Sequence, residues 1–307
     1  MKYTAKDFAA AFGVTERELP PICRDFVAKR DFHYDLPDTR KRDEIILNVL
    51  RHIDSDAPTR VGFEREDLWE RCWNENLEKF IGSEYELEAL IPRFIKPDQP
   101  VRLNRSYVLP RDPAFELAYF QVCRAYYFQK YFAGMRSVYE FGCGNGFNLV
   151  ALGRQMPAMK LFGLDWSPSA CEMVNLIGKQ HDLNMSGLRF DFFNPDQDMT
   201  LDSAGAVMTI SALEQLGSRH GAFMEFLLEK RPALCLHMEP IEDLYDDSDL
   251  LDYLALQYHR KRSYLSGWLP RLKSLEEERK AKILEIRRLF FGSLYQEGYT
   301  FVVWRPV

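Results

Sequence analysis

The 307-residue chain is short of several features that would narrow its class at once. It has no run of about 20 apolar residues, the length a membrane-crossing helix requires. Its polar start, Met1-Lys2-Tyr3-Thr4, is not that of a signal peptide. The six cysteines, Cys23, Cys72, Cys123, Cys143, Cys171 and Cys235, include no C-x-x-C pair. Scattered cysteines without a secretion signal read as reduced, mostly buried thiols, which argues against structural zinc and for a cytoplasmic protein. There is no basic excess either: 40 Lys and Arg against 46 Asp and Glu leave a net charge of −6. That balance argues against a nucleic-acid partner held through a broad phosphate field. No internal repeat or low-complexity tract is present.

What is present suits one large domain, or one domain with a cap. Residues 1–112 read as a helical cap and substrate region. Ile45, Ile46, Val49, Leu50 and Ile53 recur at helical spacing, as do Leu68, Cys72, Trp73, Leu77 and Phe80. Residues 92–113 contain Pro97, Pro100, Pro110 and the polar Arg102-Leu103-Asn104-Arg105, and so read as a connection. An aromatic-rich helix is expected over 114–132, with Gly134 ending it. Residues 113–307 then form a second unit. Short apolar runs at 138–141, 161–165, 188–193, 206–210 and 233–238 alternate with helical segments at 148–155 and 168–181. That rhythm predicts a parallel sheet with helices on both faces. The runs at 283–291 and 300–304 are too close for a crossover helix, so they should pair antiparallel.

The densest signal is Val138-Tyr139-Glu140-Phe141-Gly142-Cys143-Gly144-Asn145-Gly146, followed by Leu164-Asp165-Trp166. Glycines admit a ligand close to the backbone, and the helix after them offers free N–H groups. A carboxylate ending the second strand is placed to accept ribose hydroxyls. A nicotinamide dinucleotide and S-adenosylmethionine both fit this far. The dinucleotide fingerprint G-x-G-x-x-G needs glycine at 147, where the chain has Phe147. Glu140 would also face an anionic pyrophosphate, whereas a cationic methionine moiety tolerates it. The pattern favours S-adenosylmethionine.

Glu140-Phe141-Gly142-Cys143-Gly144-Asn145-Gly146 resembles motif I of class I S-adenosylmethionine-dependent methyltransferases, and Leu164-Asp165-Trp166-Ser167 resembles motif II. The resemblance covers about residues 137–307. It implies a Rossmann-like α/β fold: a seven-stranded, mostly parallel sheet with an antiparallel last strand, here with the N-terminal helical cap. It also implies that Glu140, Gly142, Gly144 and Gly146 border the methionine part, that Asp165 binds the ribose, and that Trp166 lies against the adenine. Asp191 and Phe192 fall at the acidic position after the third strand, so that Asp191 should meet the adenine amino group, and Ser211 to Gln215 should border the transferable methyl. Some of these residues have plain structural alternatives, with Trp166 as core packing and Asp191 as a turn cap.

Methyl transfer is an in-line displacement in which the protein chiefly positions the acceptor, with a base where the acceptor is an alcohol. Period two along Leu234-Cys235-Leu236-His237-Met238-Glu239 puts His237 and Glu239 on one face. His237 is the candidate base, with Glu239 and Glu214 as accompanying carboxylates; a hydrogen-bonded structural histidine is the alternative. Glu214, His237, Glu239 and Asp243 have the chemistry of a divalent-cation set, but nothing in their spacing demands a metal, and none is expected. In the following helix, Arg262 shares a face with Leu251, Leu254 and Tyr258. An inward arginine suggests an anionic group, so His259, Arg262 and Tyr264, with Arg105 from the connection, are the candidate substrate residues. The expected function is methylation of a small molecule, with O-methylation of a sugar or surface-polysaccharide precursor suggested by a resemblance in the helical front segment and at Glu239-Pro240-Ile241-Glu242-Asp243-Leu244-Tyr245. N- or carboxyl-methylation of an amino-acid-like metabolite is the alternative; an NAD-dependent dehydrogenase and a non-catalytic module rank behind. The acceptor would be a small-molecule partner, without nucleic acid or a membrane span, and the sequence leaves the oligomeric state open.

Overall fold

A computed structural model of the chain describes residues 1–92 and 95–307. The N-terminal part carries α1 (Ala5–Phe12), α2 (Pro21–Lys29), β1 (Tyr34–Asp35), α3 (Thr39–Asp54) and α4 (Glu66–Gly82). β2 (Val101–Leu103), β3 (Ser106–Pro110) and α5 (Phe115–Phe132) follow. Next come β4 (Ser137–Phe141), α6 (Phe147–Gln155), β5 (Lys160–Asp165), α7 (Pro168–Gln180) and β6 (Met185–Arg189). The chain continues through β7 (Gly205–Ile210), α8 (Gly221–Lys230), β8 (Leu234–Glu239), α9 (Leu250–Arg262) and α10 (Trp268–Glu277). It ends with β9 (Ala281–Arg288), β10 (Phe291–Gly292) and β11 (Thr300–Pro306).

Seven strands form one sheet in the order β6-β5-β4-β7-β8-β11-β9. β4 to β8 are parallel, and β11 runs antiparallel to both of its neighbours, β8 and β9. β7 and β8 are buried along their whole length, as central strands covered on both faces must be. The strand order reverses between β4 and β7, so the crevice at their carboxyl ends is where this architecture receives a ligand.

Two sequence expectations need correcting. The third strand lies at Met185–Arg189, not 188–193. Phe190 and Phe192 mimic a strand in sequence, but their rings turn onto Phe141 and Phe223 at the end of the sheet. The stretch 92–113, apart from residues 93 and 94, which lie outside the described residues, is more than a connection. β2 and β3 form a hairpin whose turn residues Asn104 and Arg105 have φ of 50° and 62°. The hairpin belongs to a second, antiparallel sheet ordered β1-β3-β2-β10, which ties the front of the chain to the segment after β9.

α5 is buried on nearly every side because it lies between two aromatic surfaces. Tyr126 stacks on Phe12 at 4.2 Å, Tyr119 on Phe291 at 3.6 Å and Tyr127 on Phe301 at 3.4 Å. One apolar cluster therefore runs from Tyr3 and Phe8 through α5 to Val138 and Val303. α4 docks elsewhere, on the start of α7. There the Glu70 carboxylate accepts from the hydroxyls of Ser167 and Ser169, the latter at 2.5 Å. That contact sets α4 above the carboxyl end of the sheet. Among the described residues no helix is long and apolar enough to cross a membrane.

Candidate active site

β4 ends in a loop that requires its glycines. Gly142, Gly144 and Gly146 have φ of +70°, +51° and +74°, in the left-handed region that favours glycine. A Cβ at 142 would come within 2.5 Å of the Ala212 side chain, and one at 144 within 2.7 Å of the Trp73 indole. The loop is laced to the end of β5: the N–H groups of Gly142 and Cys143 donate to Leu164 O at 2.7 and 3.1 Å. Gly144 N–H donates to Asp165 Oδ2 at 3.0 Å, and Ser167 N–H to Oδ1 at 3.0 Å. Burial pushes the Asp165 carboxyl up to about 6 against the pull of these two donors. Each of its oxygens has one backbone donor and a lone pair to spare.

Two cavities flank this loop. The smaller, about 80 Å³, is bounded by Asp165, Trp166, Phe192 and Phe193. The larger, about 530 Å³, runs from Asn145, Phe147 and Glu116 past Gly142 and Ser211 to Glu214, Tyr258, Arg262 and Tyr264. Trp69 and Trp73 of α4, stacked at 5.8 Å, form part of both walls. α4 is thus the roof of the crevice.

Glu140 lies fully buried beneath the loop. Its Oε1 accepts from Asn148 Nδ2 at 2.7 Å, while Oε2 has no partner among the described residues. Burial raises this carboxyl to about 8, opposed by Asn148 and Arg124. Ser211, with φ of 53°, stands in the wall of the large cavity where β7 ends. Phe192 closes on Gly142 in the small cavity. Asp191 stands outside both walls, and its Oδ1 accepts from Phe193 N–H at 2.8 Å, so it caps its own turn.

The three residues expected to do chemistry separate. Glu214 is in the wall of the large cavity and accepts from the side-chain amides of Gln215 at 3.1 Å and Gln296 at 3.3 Å. Burial raises it to about 7, with Arg262 pulling the other way. Glu239 sits behind it, accepting from Ala212 N–H at 3.0 Å and Glu214 N–H at 3.4 Å, and so it fixes the turn that presents Glu214. Burial first, and Glu214 second, raise Glu239 to about 8.

His237 belongs to the sheet interior, which corrects its expected place at the acceptor. Trp304 Nε1–H donates to its Nε2 at 3.0 Å, so that nitrogen carries no proton. The proton is therefore on Nδ1, which lies 2.9 Å from Thr209 Oγ1. With no exposure and both nitrogens engaged, the ring is pushed down to about 3 by burial. Period two along β8 puts His237 and Glu239 on one face, but at His237 that face is covered by Trp268, and Trp304 of the neighbouring strand β11 takes up the ring's Nε2.

The expected substrate residues divide too. Arg262 and Tyr264 are in the wall of the large cavity. His259 is buried behind Tyr264, their rings 5.5 Å apart, and stands outside the wall. Arg105 is exposed at the hairpin tip, 4.4 Å over the Phe290 ring, and does not reach the cavity. Among the described residues no three His, Cys, Asp or Glu side chains gather as a metal-ligand set.

Sequence reasoning missed Arg65, Trp69, Tyr258, Gln296 and Tyr295 as wall residues. For α4 the signal was present: Arg65, Trp69, Cys72, Trp73 and Asn76 recur at helical spacing, in a stripe that shares Cys72 and Trp73 with the apolar face. Residues 293–299 carried no such signal, because a hairpin distant in sequence holds them: Arg102 and Tyr107 both donate to Leu294 O.

No protein-family model and no curated protein matches the chain. Solved structures with a similar fold include the plantazolicin methyltransferase BpumL in complex with SAH, at 14% identity and a TM-score of 0.42 over 61% of this chain and 82% of that one. LaPhzM is similar at 16% identity and a TM-score of 0.46, over 63% and 57%. The methyltransferase domain of bacterial CtHen1-C is similar at 19% identity and a TM-score of 0.43, over 58% and 92%.

Proposed function

We propose that the chain is an S-adenosylmethionine-dependent methyltransferase of the cytoplasm that acts on a small molecule. The observation that carries this reading is the joining of the left-handed glycine loop to Asp165 at the end of β5, at the point where the strand order reverses. The buried carboxylate beneath the loop supports the choice of cofactor. Glu140 Oε2 has no partner among the described residues, and a neighbouring ammonium group would favour the ionised form that burial opposes, whereas a pyrophosphate would not.

In this reading Asp165 receives the ribose hydroxyls, and Trp166 and Phe192 hold the adenine by dispersion and stacking. When bound, the cofactor supplies a sulfonium methyl for in-line displacement. The chain's part is to hold the acceptor in line and dry. Trp69 and Trp73 exclude water from above. Glu214, raised to about 7, is matched to accept a proton from an acceptor hydroxyl or ammonium near neutral pH. Sugars and amino-acid-like metabolites both belong to the acceptor class a cavity of about 530 Å³ admits.

Thermal shift distinguishes this reading from a dehydrogenase. S-adenosylmethionine should raise the melting temperature and NAD should leave it unmoved. Stabilisation by NAD alone, or by neither, would count against it.

A further inference from the structure

Two guanidinium groups in the large cavity form no ion pair among the described residues. Arg65, just before α4, and Arg262, the last residue of α9, stand in the same wall. Arg65 Nη1 donates to Gln215 Oε1 at 3.1 Å, and Arg262 Nη1 to Tyr258 OH at 3.3 Å, both neutral acceptors. The Nε–H of each is buried without a partner among the described residues. Neither forms an ion pair there. Aromatic rings support them, Arg65 lying 5.2 Å over Trp69 and Arg262 4.7 Å over Tyr264, but a ring quadrupole does not neutralise a full charge.

The surroundings register this positive field. Burial, and then Arg262, hold the Arg65 guanidinium below its ordinary value. His52 is lowered by burial, then by Arg262 and Lys96. Glu214 acts on both arginines, but one carboxyl against two guanidinium groups leaves the pair net positive. Half-buried cations kept near one another without an ion-paired carboxylate carry a desolvation and repulsion cost that an incoming oxyanion removes. The guanidinium fork matches carboxylate and phosphate oxygens pairwise.

We propose that the methyl acceptor carries an oxyanion, a carboxylate or phosphate monoester, bound between Arg65 and Arg262 with its body along Tyr258 and Tyr264, which leaves its hydroxyl or amino group to Glu214. This rests on the methyltransferase reading above. The rival source of the same chemistry is the methionine carboxylate of the cofactor.

The test is calorimetric titration of phenyl phosphate and benzoate, with benzyl alcohol as the uncharged probe, with and without saturating S-adenosylhomocysteine. The proteins are the wild type, Arg65→Gln, Arg262→Gln, the Lys variants of both, and Arg260→Gln, an exposed control on the same helix. Both anions should bind the wild type at least about tenfold more tightly than benzyl alcohol, and either Gln substitution should cost about tenfold or more. The Lys variants, which keep the charge and lose the fork, should fall between, so misfolding of a Gln variant leaves the test intact. Arg260→Gln should match the wild type.

Anion binding that is absent, unchanged in the Gln and Lys variants, or equalled by benzyl alcohol overturns the proposal. So does a loss confined to S-adenosylhomocysteine with 5′-methylthioadenosine, which has no carboxylate, unaffected; the arginines would then serve the cofactor. A protein that binds the anions through these arginines but never binds S-adenosylhomocysteine keeps the oxyanion site and refutes the methyltransferase reading instead.

Discussion

The backbone N–H of Gly144 donates to the Asp165 carboxylate across 3.0 Å, tying the loop after β4 to the end of β5. One carboxylate therefore both shapes the glycine loop and faces the small cavity. Asp165→Ala should weaken S-adenosylhomocysteine at least about tenfold, the loss of a charge-assisted hydrogen bond. Equilibrium dialysis checks this, and an unchanged dissociation constant would remove Asp165 from the cofactor site.

Of the two carboxylates expected to do chemistry, Glu214 reaches the large cavity, while Glu239 is spent on backbone N–H groups. Glu214→Gln should lower transfer of labelled methyl to a small-molecule extract by about 100-fold, with S-adenosylhomocysteine affinity within about threefold of wild type. Undiminished transfer would show that the acceptor needs no base here.

Stability should fall as pH rises above neutrality. Glu116 and Glu214 are raised from 4.5 to about 7, and Glu140 and Glu239 to about 8. A carboxyl that holds its proton more tightly when folded favours folding below its unfolded value, and this is lost as pH climbs through the folded value. His237 and His259, lowered from 6.5 to about 3, act oppositely, their contribution being present above 6.5 and lost as pH falls toward 3. Between about pH 6.5 and 8.5 the carboxyls dominate, so the melting temperature should drop by about 3 °C or more. A flat or rising profile over that range would contradict these burials.

Trp304→Phe removes the donor to His237 Nε2 and leaves that nitrogen buried and unpaired. The expected cost is about 1–3 kcal/mol by denaturant unfolding, with cofactor affinity untouched. A loss of cofactor affinity without loss of stability would return His237 to the site.

Most of the large sheet was legible because its strands are buried on both faces, and continuous apolar runs announce that condition directly. The glycine loop and Asp165 were legible because backbone conformation and a strand-end carboxylate both leave local marks. His237 was misplaced because alternation reports which face a side chain is on, and cannot report that Trp268 covers that face and Trp304 engages the ring. Arg105 was chosen over Arg65 for a related reason. Arg105 lies in a hairpin turn that composition made look like a linker, whereas Arg65 gains its place through tertiary contacts, its own bond to Gln215 and the docking of Glu70 on Ser167 and Ser169. The second sheet was invisible because its strands are two to five residues long and pair across the whole chain.

The central claim is that Asp165 and the glycine loop hold S-adenosylmethionine. A crystal structure of the protein grown with saturating S-adenosylhomocysteine tests it most directly. The ribose hydroxyls should meet the Asp165 carboxylate, with the adenine between Trp166 and Phe192. A glycine loop left empty at saturation, or the ligand bound away from Asp165, would contradict the claim.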